Sequence, residues 1–175
     1  HFKSVGSRAP VENVSWYDAQ RFIERLNQFD SAKTYRLPTE AEWEFACRAG
    51  TTTRWFFGDG ADQMKDFGWT IPHSAGFHQP IGRKRANPFG LFDMHGNVEE
   101  WCYDWYGPYE QGQQADPVGR AEGDFKVTRG GSHSTKLSYL RSANRLGTQP
   151  ADKSWLIGFR VVLGRMPNTE LLPAP

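Results

Sequence analysis

Apolar and polar positions follow a helical period in two places near the start of the chain. Trp16, Ala19, Phe22, Ile23 and Leu26 fall on one face of a 3.6-residue repeat and predict an amphipathic helix to about Asn27. Ser15, with Asp18 three residues on, supplies a capping box in which Asp stands in for the usual Glu or Gln. Thr39 and Glu42 repeat the device just after Pro38. Trp43, Ala46 and Cys47 then line one face, and Gly50 stops the second helix. From Thr51 to Gly90 the period is lost, and turn residues separate short aromatic patches such as Trp55-Phe56-Phe57 and Phe67-Gly68-Trp69. Lys126 to Arg129 and Ile157 to Leu163 read as strands, the second apolar enough to be central. The pattern therefore describes one domain over residues 1–165. Residues 166–175 form an extended, Pro-spaced tail, either a linker to a further domain or an ordinary frayed end.

Composition explains how so irregular a pattern can fold. Only 38% of the 175 residues are apolar, yet seven are Trp, twelve Phe and six Tyr. Each such ring buries about 150–250 Å², so a few large side chains can replace many small ones in the core. Eighteen Gly and eleven Pro agree with a fold rich in turns and ordered coil. A net charge of +1 argues against a nonspecific nucleic-acid binder. No apolar run approaches the ~18 residues of a membrane span. The two cysteines, Cys47 and Cys102, allow one internal disulfide or two buried free thiols, and do not fix the compartment.

The densest chemistry lies in Asn87-Pro-Phe-Gly-Leu-Phe-Asp-Met-His-Gly-Asn-Val-Glu-Glu-Trp101. Apolar anchors alternate there with glycines, amides and carboxylates, an arrangement that can converge oxygen atoms on a hard cation. This run resembles the signature of the formylglycine-generating enzyme (sulfatase-modifying factor) family. Further segments agree in order: Pro10-Val-Glu-Asn-Val-Ser-Trp16, Arg36-Leu-Pro-Thr-Glu-Ala-Glu-Trp-Glu44, Arg129-Gly-Gly-Ser132 and Gly158-Phe-Arg160. The resemblance spans Pro10 to about Leu163. It implies an α+β, C-type-lectin-like fold, with two helices, a small twisted antiparallel sheet and much irregular ordered coil.

It also implies sites. Asp93, Gly96, Val98 and Glu100 match a family calcium site of two side-chain oxygens and two backbone carbonyls. Asp93 replaces the family's usual Asn and adds charge. No convincing second calcium site emerges from Asp59, Asp62 and Asp66. Catalysis in the family needs a cysteine pair just beyond Gly-Gly-Ser, where thiolates bind copper(I). Here the chain reads Ser132-His-Ser-Thr-Lys-Leu-Ser-Tyr-Leu140 and has no cysteine after Cys102, so copper and formylglycine generation are not expected. The family's usual disulfide partner for Cys47 would fall at Val161. Family members also carry a longer segment ahead of Pro10, so the resemblance implies that the domain's opening strands are missing. Their loss would bare Trp55-Phe56-Phe57 and one face of the first helix.

The resulting expectation is a catalytically degenerate domain that serves as a ligand-binding or scaffolding module of a larger protein. Its groove would hold Ser132, His133, Thr135, Arg145 and Trp155, and would take a protein, peptide or glycan. An extracytoplasmic setting, secreted or periplasmic, is favoured. Two alternatives stay open: a metal-dependent oxidoreductase of different chemistry, and a hypervariable lectin-like receptor. Lys136 and Trp155 argue against the last, because asparagine-codon diversification does not readily produce them.

Overall fold

A computed structural model describes residues 8–172. Residues 1–7 and 173–175, the outer ends of the expected domain and tail, lie outside the described residues. The first helix, α1, runs Trp16–Phe29, and both halves of its capping box form. Ser15 Oγ accepts from the Asp18 amide at 3.1 Å, and Asp18 Oδ2 accepts from the Ser15 amide at 3.0 Å. Strand β1 is Tyr35–Arg36 and helix α2 is Glu40–Arg48. Thr39 and Glu42 close the second box, and Arg36 holds both oxygens of Glu42 at 2.6 Å. That adds an ion pair to the cap, at the helix end where negative charge is favoured. Ala49, in the left-handed region, ends α2 one residue before Gly50.

The remaining elements are short: α3 (Met64–Phe67), β2 (Glu99–Trp105), β3 (Gln114–Ala115), β4 (Lys126–Arg129), β5 (Leu146–Thr148), β6 (Ile157–Gly158), β7 (Val162–Leu163) and β8 (Glu170–Leu171). The main sheet runs β5-β4-β2-β6. Its β5–β4 and β4–β2 pairs are antiparallel, but β6 lies parallel to β2, so the sheet is mixed rather than antiparallel throughout. The apolar run at residues 157–163 is also not one central strand. It breaks after Gly158, β6 occupies the sheet edge, and β7 leaves to pair with β1.

β2 carries the core by alternation, since neighbouring strand residues face opposite sides of a sheet. Trp101 joins Ala19, Ile23, Leu37 and Ile157 beneath α1. Cys102 joins Trp43, Cys47, Phe56, Phe67, Met94 and Val127 beneath α2. The buried indoles find acceptors: Trp16 Nε1 donates to Cys102 O at 2.9 Å, and Trp101 Nε1 to Val14 O at 3.0 Å.

Three expectations are corrected here. Trp55 and Phe56 are not bared but buried, with Trp55 packed on Met64 and Leu140, and Phe56 and Phe57 on Phe67 and His95. The chain covers this patch itself, folding α3 over it. On α1 only part of the apolar face stays open: Phe22, half exposed, meets Phe159 edge-on at 5.5 Å. The tail is not wholly unpaired, because β8 adds to β3 in a two-stranded ribbon. The cysteines are both free and buried, which settles the open disulfide alternative.

Candidate functional site

The signature loop before β2 is a scaffold of side-chain to backbone bonds. Asn87 Nδ2 donates to the carbonyls of Ala46 (2.6 Å) and Cys47 (3.2 Å), while its Oδ1 accepts from the Phe89 and Leu91 amides, each at 3.0 Å. One amide thus ties the end of α2 to the turn that follows. Gly96 sits at φ 95° with its amide bonded to Gly130 O, and a Cβ there would overlap the Trp69 carbonyl. Only glycine fits this approach.

The loop brings together all four residues expected at a cation site. Asp93, Gly96, Val98 and Glu100 line one cavity of about 730 Å³, with Phe159 and Arg160 on its wall. Asp93 Oδ2 accepts from the Gly82 amide at 2.8 Å, whereas its Oδ1 is buried with no partner. Burial raises the Asp93 carboxyl above the usual carboxylate range, and the neighbouring Glu100 charge adds to the effect. Glu100 is already engaged: Arg160 donates to both its oxygens at 2.5 and 2.6 Å, and Trp43 Nε1 donates at 2.6 Å. An unpartnered carboxylate oxygen on a residue that lines the cavity suits a hard cation. The Arg160 pairing reduces the negative charge that Glu100 offers it.

The five expected groove residues divide. Gly130 and Gly131, both in the left-handed region, turn the chain out of β4. There Ser132 and Thr135 close on each other, with the Ser132 amide donating to Thr135 Oγ1 at 2.9 Å and the Thr135 amide to Ser132 O at 3.0 Å. Ser132 and His133 are buried, so neither presents its side chain openly to a ligand. Trp155 is half exposed and rests its ring 4.9 Å from that of His133. Arg145 does not join them. It grips both oxygens of Glu40 at 2.5 and 2.7 Å, donates to Gly107 O, and stacks on Tyr109 at 4.0 Å. It lines a separate cavity of about 510 Å³ with Glu40, Asp104, Tyr109 and Arg120. One buried acid pulls it there: Glu40 pairs with it and also lies 3.4 Å from Arg129. In the same wall Asp104, whose Oδ2 accepts from the Glu40 amide at 2.7 Å, is pushed up to about 7 by burial.

The sequence did not show what Glu12, His78 and Asn97 bond to. In a turn-rich segment that reads as solvent-facing loop, His78 is buried, with Nδ1 2.7 Å from a carboxylate oxygen of buried Glu12. Asn97 joins three loops, accepting from the Gln79 amide (2.8 Å), donating to Gln79 O (3.1 Å) and accepting from the His133 amide on its own carbonyl (2.8 Å). Only Asn97, inside a Gly-Asn turn pair, carried a local sign of such a role.

The cysteines are poor candidates for thiolate chemistry. Burial pushes Cys47 up to about 12 and holds Cys102 well above the ordinary thiol value. A thiol kept protonated is neither a nucleophile nor a copper(I) ligand. Among the described residues no three His, Cys, Asp or Glu side chains cluster as metal ligands. No helix among them is long and apolar enough to cross a membrane.

Comparison with known proteins agrees with this architecture. The serine/threonine-protein kinase pkn1 of Chlamydia caviae is 36% identical over 163 residues, covering 90% of this chain and 24% of the kinase. The formylglycine-generating enzyme of Streptomyces coelicolor is 35% identical over 168 residues, covering 86% of this chain and 51% of the enzyme. The chain thus spans a quarter to a half of these relatives. Among solved structures, Treponema denticola variable protein 1 superposes with a TM-score of 0.83 at 27% identity, covering 92% of this chain and 73% of that one. PvdO from Pseudomonas aeruginosa gives 0.78 at 28% identity, covering 95% and 64%. The family model of the sulfatase-modifying factor enzyme 1-like domain matches residues 2–165, and the chain belongs to that family.

Proposed function

We propose that this domain is a catalytically degenerate member of its family, acting as a ligand-binding or scaffolding module of a larger protein. The observation that carries the reading is the loop after Gly131. It holds Ser132, His133 and Thr135 in a hydroxyl-laced turn, while the only two thiols of the chain are buried elsewhere and kept protonated. Hydroxyls do not replace thiolates for a soft ion such as copper(I). The half-exposed Trp155, seated on His133, offers the amphipathic ring that stacks on sugars or peptides. Kinases of Chlamydia in which such a domain is a quarter of the chain support the modular part of the reading.

A calcium ion belongs to the same proposal. Asp93 and Glu100 side chains with the carbonyls of Gly96 and Val98 would hold it, and the unpartnered Asp93 Oδ1 is its support. Its role would be to rigidify the loop.

Two assays test the reading. A copper-loaded reaction with a Cys-x-Pro-x-Arg peptide, followed by mass spectrometry, is expected to leave the cysteine unchanged, and an aldehyde product overturns the degenerate assignment. A glycan and peptide array is expected to yield binders that Trp155→Ala loses without a change in melting temperature. Binding indifferent to Trp155 would place the ligand elsewhere.

A further inference from the structure

Cavities in this domain differ in the charge of their walls. Glu40, Glu44 and Asp104 line one, and Asp93 and Glu100 line another. A third, of about 540 Å³, has no Asp or Glu among its lining residues. Every polar side chain on its wall can donate a hydrogen bond: Arg54 and Arg141, Ser138 and Tyr139, and the indole of Trp55. Ala61 and Leu137 add apolar surface.

The backbone brings these donors together from two distant segments. The Ser142 amide donates to Arg54 O at 2.9 Å, which sets the two arginine-bearing stretches side by side. Arg141 follows the short 3-10 turn Leu137–Tyr139 and the fully buried Leu140, and its Nε donates back to Ser138 O at 3.1 Å. Trp55 is fixed on the other side. It exchanges backbone bonds with Gly58 at 3.1 and 3.0 Å, stacks on Phe57 at 5.6 Å, and packs on Met64 and Leu140. The Arg54 guanidinium lies 5.5 Å from the centre of the Trp55 ring.

The donors on this wall are left over from the fold. Arg36, Arg129, Arg145 and Arg160 each hold a carboxylate. Among the described residues Arg54 and Arg141 hold none. Asp59 is close in sequence, but its Oδ1 accepts from the Arg54 backbone amide at 2.8 Å and it does not line the cavity. Trp16, Trp43 and Trp101 give their indole N–H to an acceptor. Trp55 is 1% exposed, and its Nε1 is buried with no partner. A buried donor left in that condition is uncommon. Trp69 Nε1 shares it but does not line this cavity.

We infer that this cavity binds the phosphate monoester of a small organic molecule, with Arg54 and Arg141 on the phosphate and Trp55 Nε1–H as a third donor. Two guanidiniums match the two charges of a monoester, and their planar forks fit its oxygens. A carboxylate brings one charge and two oxygens, and would leave much of this donor set unused. The volume falls in the range of about 300–1,000 Å³ that small organic ligands occupy, and Ala61 and Leu137 suit the apolar body of such a ligand. The site goes beyond the proposed groove, since neither His133 nor Trp155 lines it.

The test is calorimetric titration of the chain with phenyl phosphate and with inorganic phosphate, at low salt and about pH 7.5, where a monoester carries nearly two charges. Phenyl phosphate is expected to saturate at one equivalent, about 10-fold tighter than inorganic phosphate because its ring meets the apolar wall. Arg54→Gln and Arg141→Gln should each weaken it by roughly 10–100-fold, the range for one charged hydrogen bond. Arg25→Gln, the same change of charge on the exposed face of α1, should leave it unchanged, as should Trp155→Ala. Melting curves show that each variant folds. In the wild type, phenyl phosphate should shift the indole N–H resonance of Trp55, a response that loose attraction to surface charge does not give. Wild-type protein that fails to bind phenyl phosphate overturns the inference. So does a folded Arg54→Gln/Arg141→Gln variant that binds like wild type, or an Arg25→Gln variant that loses as much as Arg54→Gln. Equal binding of the two phosphates overturns the organic part of the assignment. Loss of the array binders with phenyl phosphate binding intact refutes the groove alone, and the reverse refutes this site alone.

Discussion

Removing Arg160 tests how the signature loop is held. Glu100 is only 6% exposed and has three donors, two from Arg160 and one from Trp43. Arg160→Met keeps much of the stem's packing volume but leaves the carboxylate buried with the indole alone. Stranding one partner of a buried ion pair costs about 3–5 kcal/mol. For a chain of this size each kcal/mol lowers Tm by roughly 2–4 °C, so a drop of about 6–20 °C is expected. Urea titration should show a lower midpoint with an unchanged slope, the mark of lost stability rather than an altered unfolded state. The control is the double variant Arg160→Met/Glu100→Gln. An amide still accepts from Trp43 but carries no charge, so more than half of the loss should return. If the single variant stays within about 1 kcal/mol of wild type, or the double variant is no better than the single, the pair is not what anchors the loop.

Further expectations follow from the same groups. The Asp104 carboxyl is raised to about 7 from an ordinary value of 3.8, so the folded state binds its proton more tightly than the unfolded chain does. Its stabilising contribution is therefore full below about pH 4 and is lost as pH rises towards 7. Asp104→Asn, which can still accept from the Glu40 amide, should flatten that decline between about pH 4 and 7. An unchanged slope would refute the assignment. Glu99, also raised to about 7 by burial, leaves a residual slope in the same window. If calcium binds beside Asp93, EGTA lowers Tm and added calcium restores it, by mass action on the folded state alone. A melting curve indifferent to both, in wild type and in Arg160→Met, removes the calcium proposal.

What could be read from the sequence was whatever has a short range. Both capping boxes were visible because their partners lie three residues apart. The helix starts at Trp16 and Glu40 follow from them. The candidate cation-site residues, Asp93 to Glu100, were grouped by the family resemblance, whose signature run contains all four. Longer-range pairing was not legible. Glu12 and His78 are 66 residues apart, and although Glu12 lies in the Pro10–Trp16 motif, nothing in it names His78 as the partner. Arg145 was placed in the wrong cavity because its choice of Glu40, 105 residues away, depends on how β4 and β5 set the loop before it. The aromatic run at 55–57 was expected to need a missing cover. Nothing local shows that α3 folds back over Phe56 and Phe57.

The signature that identifies the family is, in this chain, largely spent on its own architecture. Asn87 bonds the end of α2 and its own turn, Asn97 joins two distant loops, and Glu100 is held by Arg160 and Trp43. Each of these polar groups has an internal partner that accounts for its presence without a substrate. A match to that loop is therefore evidence for the scaffold and carries little information about reaction chemistry, which depends on side chains grafted elsewhere on the same fold. The part of the motif not spent in this way is Asp93 Oδ1.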